Sequence, residues 1–368
     1  MQLSTTLSRI PVHLVRELRA GRVIAFVGAG YTIPAGFCGW RELLLRIAAN
    51  GNRDGKVRPE SEQLVKTLLQ DSAPSAHNLD QAAQVIDDAL ALEGDQPQSA
   101  LVAYMRRHLE PKCPLPAQME RRLELLRTLP FSSILTTNFN PLLRGVTPFD
   151  ITAPLIYRRV LRGESDDSKA SINAAVATSA GGCGLEYISI DRPVLQIHGN
   201  LLKPESVVLT KQGYRRLLYR CPHFRVFMKA CLASKTVLYL GFSFTDAYHN
   251  ELRSEILSIL GSDGPPIAYA IANDKTVLQC ELARKHEGVH FINFDSECDG
   301  YDGFDAIMEE LAAAVELEER IGFRLRDSGA LQQLSASEEK SGRVSNESVA
   351  CKPGRNTEAT WKQNVSMY

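Results

Sequence analysis

Six short apolar runs constrain the fold of this chain more than any other feature of its sequence. Most of them are apolar at every position rather than at alternate ones, which is typical of strands with both faces covered. Helical patterns occupy much of the chain between them. The sequence therefore predicts an α/β fold, a Rossmann-like parallel sheet with helices on both faces. The six predicted strands are Val23–Val27, Ile134–Thr137, Val194–Ile197, Thr236–Leu240, Ile267–Ile271 and Val289–Ile292.

The longest helical stretch lies between the first two predicted strands. Residues 59–130 are mostly helical in pattern, and we predict that they form an inserted helical subdomain. One of these helices is expected to begin at Gln81, with Asp80 or Asn78 as its N-cap. A further helical pattern at Asp305–Leu317 predicts a closing helix, because its apolar residues share one face.

One folded domain is predicted over residues 1–325, followed by a disordered polar tail at 335–368 that has little apolar surface to bury. Residues 163–184 are rich in Ser, Ala, Asp and Gly and predict a long surface loop. The longest uncharged stretch, 23–40, is interrupted by Gly and Pro, so it predicts a strand and a glycine-rich loop rather than a membrane span.

The charge balance excludes several classes of protein. The chain has 42 Lys and Arg against 43 Asp and Glu, a formal net charge of −1, and 44% hydrophobic residues. A disordered protein needs fewer apolar residues and a larger net charge. We therefore expect a globular protein with no membrane partner and no clear nucleic-acid binding.

The spacing of the cysteines indicates whether the chain could bind a structural metal ion and in which cellular compartment it is expected. The eight cysteines are scattered, and no two of them are separated by two residues. Structural zinc sites usually take their ligands in such close pairs, so we predict no metal site. Because no signal peptide is recognisable, we expect reduced cysteines and a cytoplasmic location.

Four polar or glycine-rich clusters follow predicted strands, at the edge where ligands bind in open α/β sheets. Gly28–Thr32 either cradles a phosphate or forms an ordinary turn, since Ile33 breaks the GxGxxG pattern. Thr136–Asn140 either binds a ligand or caps the next helix. The histidine of His198–Asn200 is either a base or a structural residue. Gly241–Asp246 is a small-residue loop whose aspartate either contributes to a site or caps a helix.

Taken together, the order and placement of these clusters resemble the sirtuin superfamily. The chain looks most like the prokaryotic branch, in which a sirtuin-like domain hydrolyses NAD+ in antiviral defence. The resemblance spans about Pro11 to Leu317, and several motifs in the family's order are more specific than any one of them. The matching segments are Phe26–Gly30, Thr136–Phe139, Leu195–Gly199, Pro204–Thr210, Gly241–Ser243 and Ile271–Asn273.

The resemblance implies a role for each matching residue. Asn138 is expected to hold the nicotinamide ribose and position water, and His198 is expected to be the catalytic histidine beside that ribose. NAD+ is then a substrate, and no zinc is expected. The other site residues are expected to bind NAD+: Gly28, Ala29, Gly30 and Thr32 at the phosphates, Gly241 and Ser243 towards the phosphate and adenosine ribose, Asn273 near the adenosine, and Thr137 in the same set.

Three departures from the family's pattern qualify these roles. Position 32 is Thr where the family usually has Ser, which keeps the hydroxyl. Asn140 stands where the family usually has Asp, which removes a carboxylate near the nicotinamide pocket. Between the positions of His198 and Gly241, the protein deacylases typically carry a four-cysteine zinc module, whereas this chain has only Cys221 and Cys231 in that interval.

The expected function is that of an NAD+ glycohydrolase, which cleaves NAD+ to nicotinamide and ADP-ribose. One alternative is an NAD or ADP-ribose sensor without turnover, which Asn140 favours. Another is an NAD-dependent deacylase or ADP-ribosyltransferase, which the missing zinc module disfavours. Because NAD+ depletion harms the cell itself, we expect control through a homo-oligomer or a separate sensor or regulatory protein.

Overall fold

The structure of the protein is a computed structural model. It describes residues 9–71, 74–92, 97–109, 114–140, 142–162, 192–244, 247–261, 264–299 and 302–327. The predicted loop at 163–184, the predicted tail at 335–368 and the predicted helix cap Asp246 lie outside these residues.

A six-stranded parallel sheet forms the centre of the fold, as the apolar runs predicted. The strand order is β3-β2-β1-β4-β5-β6, so the order reverses between β1 and β4. In sheets of this kind, ligands bind outside the carboxyl ends of the strands at that reversal. The strands are β1 (Val23–Val27), β2 (Ser133–Thr136), β3 (Val194–Gln196), β4 (Thr236–Leu240), β5 (Ala268–Asn273) and β6 (Val289–Phe294).

Helices connect the strands and pack against both faces of the sheet. None of the helices within the described residues is long and apolar enough to cross a membrane. Their bounds are α1 (Val12–Arg19), α2 (Trp40–Arg53), α3 (Pro59–Leu68), α4 (Ala76–Leu92), α5 (Pro97–His108), α6 (Ala117–Thr128), α7 (Ala153–Arg162), α8 (Lys211–Arg220), α9 (Pro222–Ser234), α10 (Ala247–Leu260), α11 (Val277–Glu287), α12 (Ser296–Asp299) and α13 (Asp302–Asp327).

Two hydrophobic cores lie on opposite faces of the sheet. In β1, Val23, Ala25 and Val27 belong to one core, while Ile24 and Phe26 belong to the other. Successive side chains of a strand point to opposite faces, so a strand between two cores must be apolar throughout. Helices α1–α6 and α13 contribute to the first core and α7–α10 to the second. The predicted α/β class, with helices on both faces, is confirmed.

The chain divides into two compact units after Leu317. The predicted domain bounds, 1–325, stay a prediction. The described residues up to Leu317 belong to one compact unit. A second unit covers Glu318–Tyr368, of which the structure describes the helical residues 318–327. Helices α3–α6 lie between β1 and β2, and whether they form a separate subdomain stays a prediction.

One local prediction was wrong, and two other segments are now defined. Helix α4 begins at Ala76, and the Ser75 hydroxyl accepts the backbone N–H of Asn78 at 3.2 Å. The predicted caps Asp80 and Asn78 are therefore inside the helix, because Ser75 was an equally good cap one turn earlier. The glycine-rich loop after β1 contains a 3-10 helix, Ala29–Ala35. No described helix follows Thr136–Asn140 directly, since the next one begins at Ala153, so these residues do not cap a helix.

The loops after β1 and β4 approach each other through their glycines. Gly28 N donates to the Leu240 carbonyl oxygen and Gly30 N to the Gly241 carbonyl oxygen, each at 2.9 Å. Gly241 has a φ of +60°, and a Cβ added there would lie 2.1 Å from Tyr31 N. No side chain fits at that distance, so the contact requires glycine.

A buried arginine holds the same segment from another side. Tyr31 Oη donates to the Arg122 carbonyl oxygen at 2.5 Å, and Arg122 Nη1 donates to the Tyr31 carbonyl oxygen at 2.9 Å. The Arg122 guanidinium also donates to both carboxylate oxygens of Asp305, at 2.5 and 3.0 Å, and lies 4.7 Å from the centre of the Phe304 ring. Helices α6 and α13 are thereby bonded to the segment after β1.

Replacing Gly241 with Ala is expected to destabilise the protein far more than replacing Gly21. Both residues have positive φ, +60° and +63°, so both alanines cost about 1–2 kcal/mol in backbone strain. Only Gly241 meets another backbone, whereas nothing lies within 4 Å of a Cβ at Gly21. Urea unfolding of Gly241→Ala and Gly21→Ala measures the difference, and equal losses would contradict a close contact between the loops.

Arg122→Met is expected to lower the free energy of unfolding by about 3–5 kcal/mol, because it leaves the Asp305 carboxylate without its buried partner. The control is Arg121→Met. Arg121 pairs with Glu309 of the same helix α13, but its side chain is 54% exposed against 4% for Arg122. An exposed pair contributes about 0–1 kcal/mol. Chemical denaturation measures the free energy of unfolding of both variants. A loss in Arg122→Met no larger than in Arg121→Met would contradict a stabilising role for the buried Arg122–Asp305 pair.

Candidate active site

Three polar side chains meet where β1 and β2 end. Asn138 Nδ2 donates to the Gly28 carbonyl oxygen at 3.0 Å and lies 3.4 Å from Thr32 Oγ1. Asn140 Nδ2 donates to the same Thr32 oxygen at 3.0 Å. All three side chains are buried. The structure therefore brings Asn138 and Thr32, which sequence predicted from separate motifs, into one hydrogen-bonded cluster.

The Thr32 hydroxyl sets the direction of these bonds. It donates to the Ala29 carbonyl oxygen at 3.2 Å, so its oxygen accepts from the two amides. A carboxylate at position 140 has no hydrogen to donate to that oxygen. The asparagine that departs from the family's pattern is thus bonded in a way that an aspartate cannot reproduce.

Asn138 keeps one side-chain acceptor available. Its backbone N–H donates to Thr136 Oγ1 at 3.0 Å, and its Nδ2 is taken up by the Gly28 carbonyl and Thr32. Its Oδ1 accepts no hydrogen bond from a described residue. An amide held through its nitrogen presents its oxygen in one direction, which suits it to orient a hydroxyl or water.

His198 reaches the same edge from β3. Thr136 of β2 pairs with Gln196 of β3, and Asn138 and His198 each come two residues after that pair. The chain then turns at Gly199, whose φ is +82°, and the His198 carbonyl oxygen accepts Val208 N at 2.8 Å. The histidine is only 3% exposed, so the turn holds it inside the fold.

Aromatic rings surround the His198 imidazole. The Trp40 ring is stacked at a centroid distance of 6.0 Å, and the Phe139 ring is tilted at 6.3 Å. The Tyr214 ring meets it edge-on at 5.3 Å, with the Tyr214 hydroxyl 3.4 Å from His198 Nε2. Phe139 follows Asn138 directly in the sequence, so the segment that carries Asn138 also contacts the His198 ring. The sequence indicated neither Trp40 nor Tyr214 as a neighbour of the histidine.

The remaining predicted residues lie along the same edge. Thr137 N donates to the Val27 carbonyl oxygen at 3.2 Å, and Ser243 is exposed after β4. Asn273, at the end of β5, donates from Nδ2 to Asp274 Oδ2 at 2.7 Å and makes no hydrogen bond to the Thr32 cluster. Two strand spacings, about 10 Å, separate β5 from β1. Gly28, Ala29, Gly30, Thr32, Asn138 and Gly241 form one bonded group.

Cys221 and Cys231, which lie between His198 and Gly241 in the sequence, are poorly suited to bind a metal ion. Cys231 is buried in the second core, and burial raises the pKa of its thiol, which disfavours the thiolate that binds metal. Cys221 is half-buried, and burial raises its pKa too. Within the described residues, no group of three or more His, Cys, Asp or Glu is placed to hold a metal ion.

Part of the chain is similar to a known family of domains. Residues 132–292 match the family model described as a SIR2-like domain. This segment contains Asn138, His198 and Gly241.

Curated relatives are distant and longer. The chain is 24% identical over 244 residues to the NAD(+) hydrolase ThsA of Acinetobacter baumannii, a match covering 66% of this chain and 41% of that protein. It is 22% identical over 252 residues to the NAD(+) hydrolase ThsA of Enterococcus faecium, with 68% and 43% covered. The protein of the same name from Bacillus cereus is 22% identical over 248 residues, with 67% and 42% covered. The matched region thus spans less than half the length of these relatives.

The parallel sheet and the matched segment point in the same direction. Residues 132–292 of this chain are similar to SIR2-like domains.

Proposed function

We propose that this protein is an NAD+ glycohydrolase that releases nicotinamide and ADP-ribose. The observation that carries the proposal is the hydrogen-bonded cluster of Asn138 and Thr32, with His198 at the same carboxyl edge of the sheet. The named activity of the relatives supports the same reaction, although they match this chain over only part of their length.

The chemistry needs few groups. The nicotinamide of NAD+ is a cationic pyridinium, so it leaves as a neutral base without a proton from the protein. The ribose carbon then carries oxocarbenium character and must be met by water, as in glycoside cleavage generally. The protein has to hold the ribose, position the water and remove a proton from it.

Asn138 and His198 divide these tasks in our proposal. Asn138 Oδ1 accepts a hydrogen bond from the water or from a ribose hydroxyl, while Thr32 and the Gly28 carbonyl hold the amide nitrogen. His198 accepts the proton as a general base. The aromatic rings around His198 exclude bulk water from one side of the imidazole.

Thr32 acts on NAD+ through its neighbours in this arrangement. It is completely buried, and its hydroxyl is used by Ala29, Asn138 and Asn140. Phosphate binding is then left to the backbone of Gly28–Gly30 and Gly241, with Ser243 and Asn273 further along the edge. These roles are part of the proposal.

A sensor without turnover is the second candidate, and Asn140 is the observation that favours it. Where a carboxylate usually lies near the nicotinamide pocket, this chain has a neutral amide that donates to Thr32. Such a site could bind NAD+ or ADP-ribose without cleaving the glycosidic bond. A deacylase or ADP-ribosyltransferase would need an acceptor cleft as well, and its usual zinc module has no counterpart among the described residues.

The biological setting follows from the resemblance alone. We infer a role in antiviral defence through NAD+ depletion, in the cytoplasm. Control is expected from a homo-oligomer or a separate sensor or regulatory protein, because uncontrolled cleavage would deplete the cell's own NAD+.

The purified protein incubated with NAD+ is expected to release nicotinamide and ADP-ribose in equal amounts. Chromatography of the reaction mixture measures both products. Asn138→Ala and His198→Ala are each expected to lower kcat at least a hundredfold, because each removes a group that acts on the water or the ribose. Full turnover by His198→Ala would overturn the base assignment. NAD+ binding without nicotinamide release, with and without a candidate activator, would select the sensor.

Thr32→Val and Thr32→Ser separate the hydroxyl from the shape of the side chain. Valine removes the oxygen that accepts hydrogen bonds from the Asn138 and Asn140 side chains, and this is expected to lower the free energy of unfolding by about 1–3 kcal/mol. It is also expected to lower kcat, because Asn138 is then held by one hydrogen bond fewer. Serine keeps the hydroxyl and is expected to retain most of both. The measurements are urea unfolding and nicotinamide release, and equal turnover by the two variants would contradict an orienting role.

A further inference from the structure

A cavity of about 480 Å³ lies between helices α4 and α5 on one side and α8 on the other. Asp87 of α4 and Leu101 of α5 line one side, and residues from Val207 to Arg220 line the other. None of the residues proposed to bind NAD+ lines this cavity. The backbone N–H of Gln212 contacts Gln84 Oε1 at 3.4 Å, which joins α4 to the start of α8 beside it.

Asp87 is an unusual residue to find in this wall. It is 8% exposed, and its buried Oδ1 has no hydrogen-bond partner among the described residues. Burial, assisted by the neighbouring charge of Asp88, raises the pKa of its carboxyl to about 6. Buried polar atoms are normally paired, so an unpaired carboxyl oxygen lining a cavity indicates a donor that comes from outside the chain.

Three arginines bring positive charge to the same cavity. Arg215 and Arg220 are exposed and form no ion pair within the described residues. Arg216 is half-buried, and its Nη2 donates to the Val207 carbonyl oxygen at 3.1 Å. Burial and the charge of Arg220 lower the pKa of Arg216, as expected where cations crowd together. No ion pair within 4.0 Å joins Asp87 to these arginines.

We propose that this cavity binds a small sugar phosphate, with the phosphate between Arg215 and Arg220 and a sugar hydroxyl donating to Asp87 Oδ1. Guanidinium groups match phosphate oxygens in geometry and charge, and a phosphate dianion balances two of them. Leu101 and Leu209 supply apolar surface for the sugar carbons.

This site is separate from the proposed catalytic centre but shares a helix with it. Tyr214 lies between Gly213 and Arg215, which line the cavity, and its hydroxyl is 3.4 Å from His198 Nε2. Binding is nevertheless measured independently of turnover, so the inference stands or falls apart from the NAD+ assay.

Isothermal titration calorimetry of the full chain with ribose 5-phosphate tests the proposal, with inorganic phosphate and ribose as separate arms. We expect ribose 5-phosphate to bind with a Kd at least tenfold lower than inorganic phosphate, and ribose alone to give no measurable heat. A ribose 5-phosphate that binds no more tightly than inorganic phosphate would show a simple anion patch and overturn the proposal, as would no binding.

Variants locate the binding. Asp87→Leu is expected to weaken ribose 5-phosphate binding at least tenfold, leave phosphate binding unchanged, and keep or raise Tm, since a buried unpaired acceptor is removed. The double variant Arg215→Ala and Arg220→Ala is expected to lose binding of both ligands. Arg225→Ala, an exposed arginine of α9 outside the cavity, is the matched control and is expected to change neither.

Asn138→Ala distinguishes this cavity from the NAD+ site. Because Asn138 does not line the cavity, ribose 5-phosphate binding is expected to survive that change. Loss of binding in Asn138→Ala together with unchanged binding in Asp87→Leu would assign the sugar phosphate to the NAD+ site and refute the second site.

Discussion

The contact between two backbones at the reversal of strand order is the constraint on which the rest of this structure depends. The loop after β1 and the loop after β4 bond through Gly28, Gly30 and Gly241, and no side chain fits between them. This contact fixes the Gly28 carbonyl oxygen, which in turn receives the Asn138 amide. Geometry at the site therefore begins with backbone packing rather than with any catalytic side chain.

Two of the three departures from the family's pattern, Thr32 and Asn140, are physically linked. Thr32 keeps a hydroxyl, and Asn140 supplies the hydrogen that this hydroxyl's oxygen accepts. Considered separately, Asn140 looks like the loss of a carboxylate. Considered with Thr32, it is a donor in a network in which every bond has one possible direction, because the hydroxyl's own hydrogen goes to Ala29.

Sequence was sufficient for the sheet because most strand residues lie between the two cores and are apolar on both faces. It also located Asn138 and His198 at strand ends, where parallel strands bring distant segments to one edge. It could not find the Arg122–Asp305 pair, whose members are separated by 183 residues and look like ordinary surface charges. The aromatic neighbours of His198 were missed for the same reason, since Trp40 and Tyr214 come from different helices. The helix cap at Ser75 was missed because several good caps occur in succession.

The composition of the Thr32 cluster has a consequence for how the site responds to acidity. Its members are a hydroxyl, two amides and two backbone carbonyls, and none of these gains or loses a proton in the range in which proteins stay folded. An aspartate at position 140 would bring a group that titrates. The hydrogen bonds that position Asn138 are therefore the same at every pH at which the protein is folded.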